Sequence, residues 1–306
     1  MLTLQTIIIR QYNELNQGSI LLRVLRGIQM NKINDKSKTK LVLFFLMTLG
    51  FTWLFWVPDG LGKRGLLPDV LWTNLGFFGA FGPLVVSFLL TWIENGKEGV
   101  KKLFRRGIDF KLGKLWWIIT VSIFPLLIGI SFLISGFVDG KFPPSEAAAL
   151  YRYLPFVFFS VMFTSGPVLE EFGWRGYAMP KLQAKFSPFI TSLILGFIWA
   201  VWHFPQFLVP HEKTGMFYIT PIWSFVLTVM AANMIYTWVY NHTRGSVFAA
   251  ILLHTQMNLF FWIFPVLYTT TGYLWVLGLY ILTALVIIFI DREMFFKKPT
   301  IDEAEI

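Results

Sequence analysis

Eight apolar stretches, each close to the length that crosses a bilayer, leave this chain little choice but a bundle of membrane helices. They run over residues 41–57, 71–93, 115–135, 151–177, 186–207, 217–240, 247–268 and 273–290. A hydrocarbon core about 30 Å thick takes roughly 20 helical residues to span. The composition agrees: 56% of the 306 residues are hydrophobic, 14% are charged, and mean hydropathy is +0.62. The expected fold class is therefore all-α, a polytopic membrane protein with eight transmembrane helices around a cytoplasm-facing intramembrane cavity. Pro83, Pro125, Pro155, Pro167 and Pro265 fall inside these stretches. Neighbouring helices can re-satisfy the backbone groups that such residues free.

Cytoplasmic loops collect positive charge. With eight spans, 21 of the 26 Lys and Arg fall on one side, in the N-terminal tail, the loop after the second span, the segment from Arg175 to Lys185, Arg244 and the C-terminal tail. Only Lys63, Arg64, Lys141, Arg152 and Lys213 fall on the other. Both termini are thus expected in the cytoplasm, and the net charge of +9 is read as topology and contact with anionic lipid headgroups. No basic segment carries a nucleic-acid motif, so no nucleic-acid partner is assigned.

The chain divides into a basic cytoplasmic tail (1–40), one eight-helix domain (41–290) and a C-terminal cytoplasmic tail (291–306). Met30-Asn31-Lys32 opens a basic leader just before the first span. The expectation is that Met30 is the native start or that 18–29 form a basic surface helix, against the plainer alternative of a disordered tail. The loop 94–114 is expected to form a basic interfacial helix, with Val100, Leu103 and Phe104 on one side and Lys101, Lys102, Arg105 and Arg106 on the other. With no cysteine present, disulfides, thiolate catalysis and Cys-ligated zinc are excluded.

The chemistry-bearing residues sit in the fourth, fifth and seventh stretches, where lipid penalises ionisable groups unless they face a polar cavity. On a helix Glu171 and Arg175 are four apart and can pair, while Glu170 points about 100° away and lacks that partner. Glu170 is accordingly the candidate general base. His203 alone would read as a hydrogen-bonded core histidine. His254 and Asn258 share one helix face, which suits either a pair of oxyanion donors or polar contacts between helices. Helix rise puts His203 deepest of the four, so a break in the fourth or fifth stretch is expected, with Gly173 and Pro180 as candidates. His211 and His242 receive no role, and Ser246 is the expected cap of the seventh helix.

These words resemble the CAAX-protease and bacteriocin-processing (Abi) family of intramembrane proteases. Glu170-Glu171-x-x-x-Arg175 is similar to its first motif, Trp199-x-x-x-His203 to its second and His254-x-x-x-Asn258 to its third, within a core of 167–258. Trp199 departs from the family, many members having Phe there, and is expected to serve equally as an aromatic wall.

The resemblance implies peptide-bond hydrolysis near the membrane. Glu170 and His203 would activate water, His254 and Asn258 would stabilise the oxyanion, and Glu171 and Arg175 would hold the motif together. The implied substrate is a membrane-embedded or lipidated peptide or protein. The short loops look like those of a bacterial member in the cell membrane. The family is often labelled metalloprotease, and Glu170, His203 and His254 would in principle give zinc three ligands. A metal-free site is preferred, because no compact zinc signature is present and Asn258 suits an oxyanion better than zinc. The alternatives are a non-proteolytic scaffold regulating a partner such as a sensor kinase, and a proton-coupled transporter. The lack of an internal repeat weighs against transport.

Overall fold

The computed structural model describes residues 39–68, 75–145, 151–208 and 220–297, whose regular structure is all helical. Met30, the segment 18–29, His211 and the C-terminal tail past 297 lie outside the described residues. Contacts divide the chain into Met1–Leu43 and Phe44–Ile306. Of the first unit only 39–43, the opening of the first helix, is described; the helix bundle and its cavity belong to the second.

The helices are α1 (Thr39–Lys63), α2 (Gly82–Gly107), α3 (Lys114–Val138), α4 (Leu154–Thr164), α5 (Pro167–Glu171), α6 (Met179–Gln183), α7 (Pro188–Trp202), α8 (Ile222–His242), α9 (Val247–Ile263), α10 (Thr270–Ile290) and α11 (Arg292–Phe296). Among the described residues five helices are long and apolar enough to cross a membrane: α1, α3, α7 with its short extension to Leu208, α8 and α10. The other three of the eight expected stretches differ. α9 is apolar but only 17 residues long, the fourth stretch is broken, and the second, of which 71–74 lie outside the described residues, has a short helical turn at Gly76–Gly79 before α2. Outward-facing Phe, Leu and Ile side chains on α3 and α10 leave the polar groups to the interior.

α2 carries a kink at Gly96, where φ is 60° and ψ is −157°. The part past the kink is helical to Gly107, as expected of this basic loop, with one correction to its faces. Leu103 packs with Phe172, Val247 and Ile251, but Arg106 turns inward instead of toward headgroups. Its guanidinium donates to the carbonyls of Gly176, Arg175 and Gly245 and to the Tyr240 hydroxyl at 2.7–3.3 Å. The first two carbonyls lie in the turn Phe172–Ala178 and the third just before α9, so a forked cation joins these segments to α8 at the basic end of the bundle.

The break in the fourth stretch comes earlier than expected. α4 stops at Thr164, and Gly166 takes φ of +107°, a conformation L side chains rarely adopt, before the chain restarts at Pro167. Gly173 then lies in a wider π-helical turn, Phe172–Ala178, whereas Pro180 falls in the first turn of α6, where its missing N–H costs nothing. α7 and α8 approach closely at Gly196, where a β-carbon would lie 3.0 Å from the Met230 Cα. Ser246 caps α9 as expected, accepting from the Ala249 amide at 3.1 Å.

Candidate active site

The break at Ser165–Gly166 and the π-turn after it aim the two adjacent glutamates in different directions. Glu171 is fully buried and accepts two hydrogen bonds from Arg175 Nη1, both at 2.9 Å, so the pairing read from the four-residue spacing is present. Its Oε1 also lies 2.8 Å from His254 Nδ1. Arg175, equally buried, donates through Nη2 to Asn233 Oδ1 at 2.6 Å, and Asn233 in turn donates to the Ser192 carbonyl at 2.7 Å. The guanidinium also lies 4.0 Å from the centre of the Tyr236 ring and 4.6 Å from that of Trp199. A bare charge in this interior would cost several kcal/mol, and these contacts offset that cost in part, Arg175 Nε having no hydrogen-bond partner among the described residues.

Glu170 is 4% exposed and has no cation beside it among the described ion pairs. Its Oε2 accepts from Trp199 Nε1 at 2.6 Å and from Trp174 Nε1 at 3.3 Å. Its Oε1 lies over Gly166, where a β-carbon would overlap it and come within 3.6 Å of His254 Cε1. Only glycine leaves room there for both groups.

His203 caps the C-terminus of α7, its Nδ1 lying 2.9 Å from the Trp199 carbonyl. A carbonyl can only accept, so Nδ1 carries the proton and Nε2 is the acceptor of that ring. His254 differs. With Nδ1 on a carboxylate, its Nε2 donates when the ring is protonated and accepts when it is neutral. Asn258 spends one amide N–H on the Ser165 carbonyl at 2.7 Å, clamping the break in the fourth stretch. A second N–H remains for other use.

Glu170, His203, His254 and Asn258 all line one cavity of about 880 Å³, walled mainly by aromatic and aliphatic side chains. The four residues singled out from sequence are thus brought to one space, and Trp199 is its hub. Its ring centroid lies 6.0 Å from that of His203 and 5.4 Å from that of His254. Sequence reasoning treated Trp199 as wall alone and overlooked Asn233. The signal for Asn233 was available, as a lone amide within the apolar run of α8.

The cavity is lined from the ends of α1, α7, α8 and α10 that lie away from the Lys- and Arg-rich loops. The sequence reading placed both the basic ends and the cavity mouth in the cytoplasm, and these two expectations separate here. Counting helix rise from the basic ends put His203 deepest. The reason is that His203 lies at the far end of its helix, so the shared space extends from mid-bundle to the opposite face.

Among the described residues no three His, Asp or Glu side chains are close enough together to hold a metal ion. Glu170, His203 and His254 are therefore not gathered into such a group, although each imidazole keeps Nε2 and Glu170 keeps Oε1 outside the hydrogen bonds above.

The same segment carries a likeness to known proteins. The family described as type II CAAX prenyl endopeptidase Rce1-like matches residues 152–260, which contain all of these groups. Beyond that segment, the chain is 27% identical over 264 residues to CAAX prenyl protease 2 of Methanococcus maripaludis, an alignment taking in 84% of this chain and 96% of that protein. Both matches are to CAAX proteases, the family that the three motifs resemble. The family match begins just before α4 and ends within α9, so it covers the broken fourth stretch, α7 and α8, the elements that carry the buried network.

Proposed function

We propose that this chain is an intramembrane endopeptidase that hydrolyses a peptide bond of a membrane-associated peptide or protein, without a metal. The observation that carries the reading is the single cavity onto which Glu170, His203, His254 and Asn258 all open. The matching family and the M. maripaludis relative, whose name is that of a protease, support it.

Two acceptors, Glu170 Oε1 and His203 Nε2, orient a water, and Glu170 takes its proton as the oxygen attacks the scissile carbonyl. The tryptophan N–H groups fix the carboxylate without neutralising it. Negative charge developing on the carbonyl oxygen meets the second N–H of Asn258 and, when the ring carries both protons, Nε2–H of His254, whose Nδ1 faces the Glu171 carboxylate. The proton on Glu170 then passes to the leaving amine. Arg175 and Asn233 hold Glu171 and touch no reacting atom. The aromatic and aliphatic wall suits a substrate carrying a lipid chain, such as a prenyl group, beside its peptide.

The test is turnover of a lipidated fluorogenic peptide by purified protein in liposomes. Glu170→Gln should lower kcat by about 10²- to 10⁴-fold, the usual contribution of a general base, while the protein still inserts and folds. Chelation should leave the wild-type rate unchanged. Unaltered turnover in Glu170→Gln would overturn the reading, and loss of activity with bound zinc on chelation would overturn its metal-free form. A scaffold would keep its cellular phenotype in the same variant.

A further inference from the structure

One charged pair in the cavity takes no part in the chemistry just described. Lys63 Nζ donates to Asp59 Oδ2 at 2.8 Å on the last turns of α1, and both side chains line the same cavity as Glu170 and His203. Asp59 is 5% exposed, and its Oδ1 has no hydrogen-bond partner among the described residues. The Lys63 side chain keeps 37% of its surface open. Among the described lining residues Lys63 alone carries an ammonium or guanidinium group. A carboxylate left half-satisfied in such a wall is costly, and a cation there meets whatever anionic group a ligand brings in.

Resting on the protease reading above, we infer that Lys63, held by Asp59, is a specificity-determining residue that binds the free C-terminal carboxylate of the substrate. The register supports this. One turn before Asp59 on the same helix, the Trp56 ring lies 6.2 Å from the His203 ring. The ammonium, drawn back onto Asp59, sits about 5 to 10 Å farther along α1 than Trp56, at 1.5 Å rise per residue. An extended peptide covers that distance in about two or three residues at roughly 3.3 Å each. A chain whose scissile bond lies between Glu170 and His203 would therefore end beside Lys63 if it were cut two or three residues from its terminus. The specificity is thus for chain ends over internal segments.

The experiment compares two lipidated peptides of one sequence, ending in a free acid or an amide, with the full chain in liposomes. The wild type should favour the acid by about three- to tenfold in kcat/KM, carried by KM, the range expected of a partly exposed ion pair. Lys63→Gln should abolish the preference with kcat unchanged, and Lys63→Arg should keep it. The double variant Asp59→Asn/Lys63→Gln should match Lys63→Gln, which excludes repulsion by an unpaired Asp59 as the cause. Equal wild-type rates on acid and amide would overturn the assignment while leaving the protease reading intact, as would an equal loss on both peptides in Lys63→Gln. Turnover of neither peptide by the wild type would instead bring down the protease reading.

Discussion

Trp199 Nε1 donates to Glu170 Oε2 at 2.6 Å, so the residue that departs from the family's usual Phe is bonded directly to the candidate base. A phenyl ring could fill the same wall but could not make this bond. Among the described residues Glu170 has no Lys or Arg partner, and the indole N–H is its shortest described contact. A hydrogen bond to a charged group contributes about 1.5 to 3 kcal/mol. Trp199→Phe should therefore lower kcat by about 10- to 100-fold and lower the melting temperature with it, because the buried carboxylate loses its shortest described hydrogen bond. Turnover and a melting curve on the same preparation check this, and a rate equal to wild type would reduce Trp199 to packing.

Arg175 is enclosed by Glu171, Asn233 and two aromatic rings. Removing one partner of a buried ion pair leaves the other uncompensated, at a cost of about 3 to 5 kcal/mol. Arg175→Ala should accordingly lower folded yield and melting temperature as well as activity. Asn233→Ala leaves the Glu171–Arg175 pair intact and should cost less. A double-mutant cycle on Arg175 and Asn233, read by denaturation in detergent, should give a non-zero coupling energy.

These two cases mark what the sequence could and could not convey. Four-residue spacing put Glu171 and Arg175 together because a helix enforces that contact whatever surrounds it, and the structure has it. The apolar stretches likewise announced helices, since backbone groups in lipid must be satisfied internally. Long-range partners carried no such local mark. Nothing in the spacing of Arg106 says that it turns inward to three backbone carbonyls, or that Trp199 points its N–H at Glu170. The break in the fourth stretch was foreseen but displaced, because Gly173 and Pro180 look like breakers in isolation. Gly166 is the residue whose backbone sign and missing β-carbon the site requires.

Gly166→Ala tests that requirement. A β-carbon would force the φ of +107° into strain, worth about 1 to 3 kcal/mol, and would push against Glu170 Oε1. The expected result is a modest loss of stability with a larger loss of kcat, because the displaced atom is the one proposed to take the proton. Melting temperature and turnover measured together separate the two effects. Equal and small changes in both would show that Glu170 has room to move.

The last prediction concerns sidedness, on which the charge distribution and the cavity point to opposite faces. The absence of cysteine makes the chain a clean background for single-cysteine labelling. Lys102 lies on the basic interfacial part of α2, and Gln206 lines the cavity past the end of α7. With Lys- and Arg-rich loops held in the cytoplasm, a membrane-impermeant maleimide added to intact cells should label Gln206→Cys and spare Lys102→Cys, and inverted vesicles should reverse the pattern. That result would require substrates to enter from the outer leaflet or laterally between helices. The reverse pattern would put the cavity mouth in the cytoplasm and leave 21 of 26 cationic residues outside, a distribution that insertion energetics oppose. Labelling of both positions from one side would contradict the separation of the basic loops from the cavity mouth, since each of the long helices α1, α7 and α8 joins the two ends.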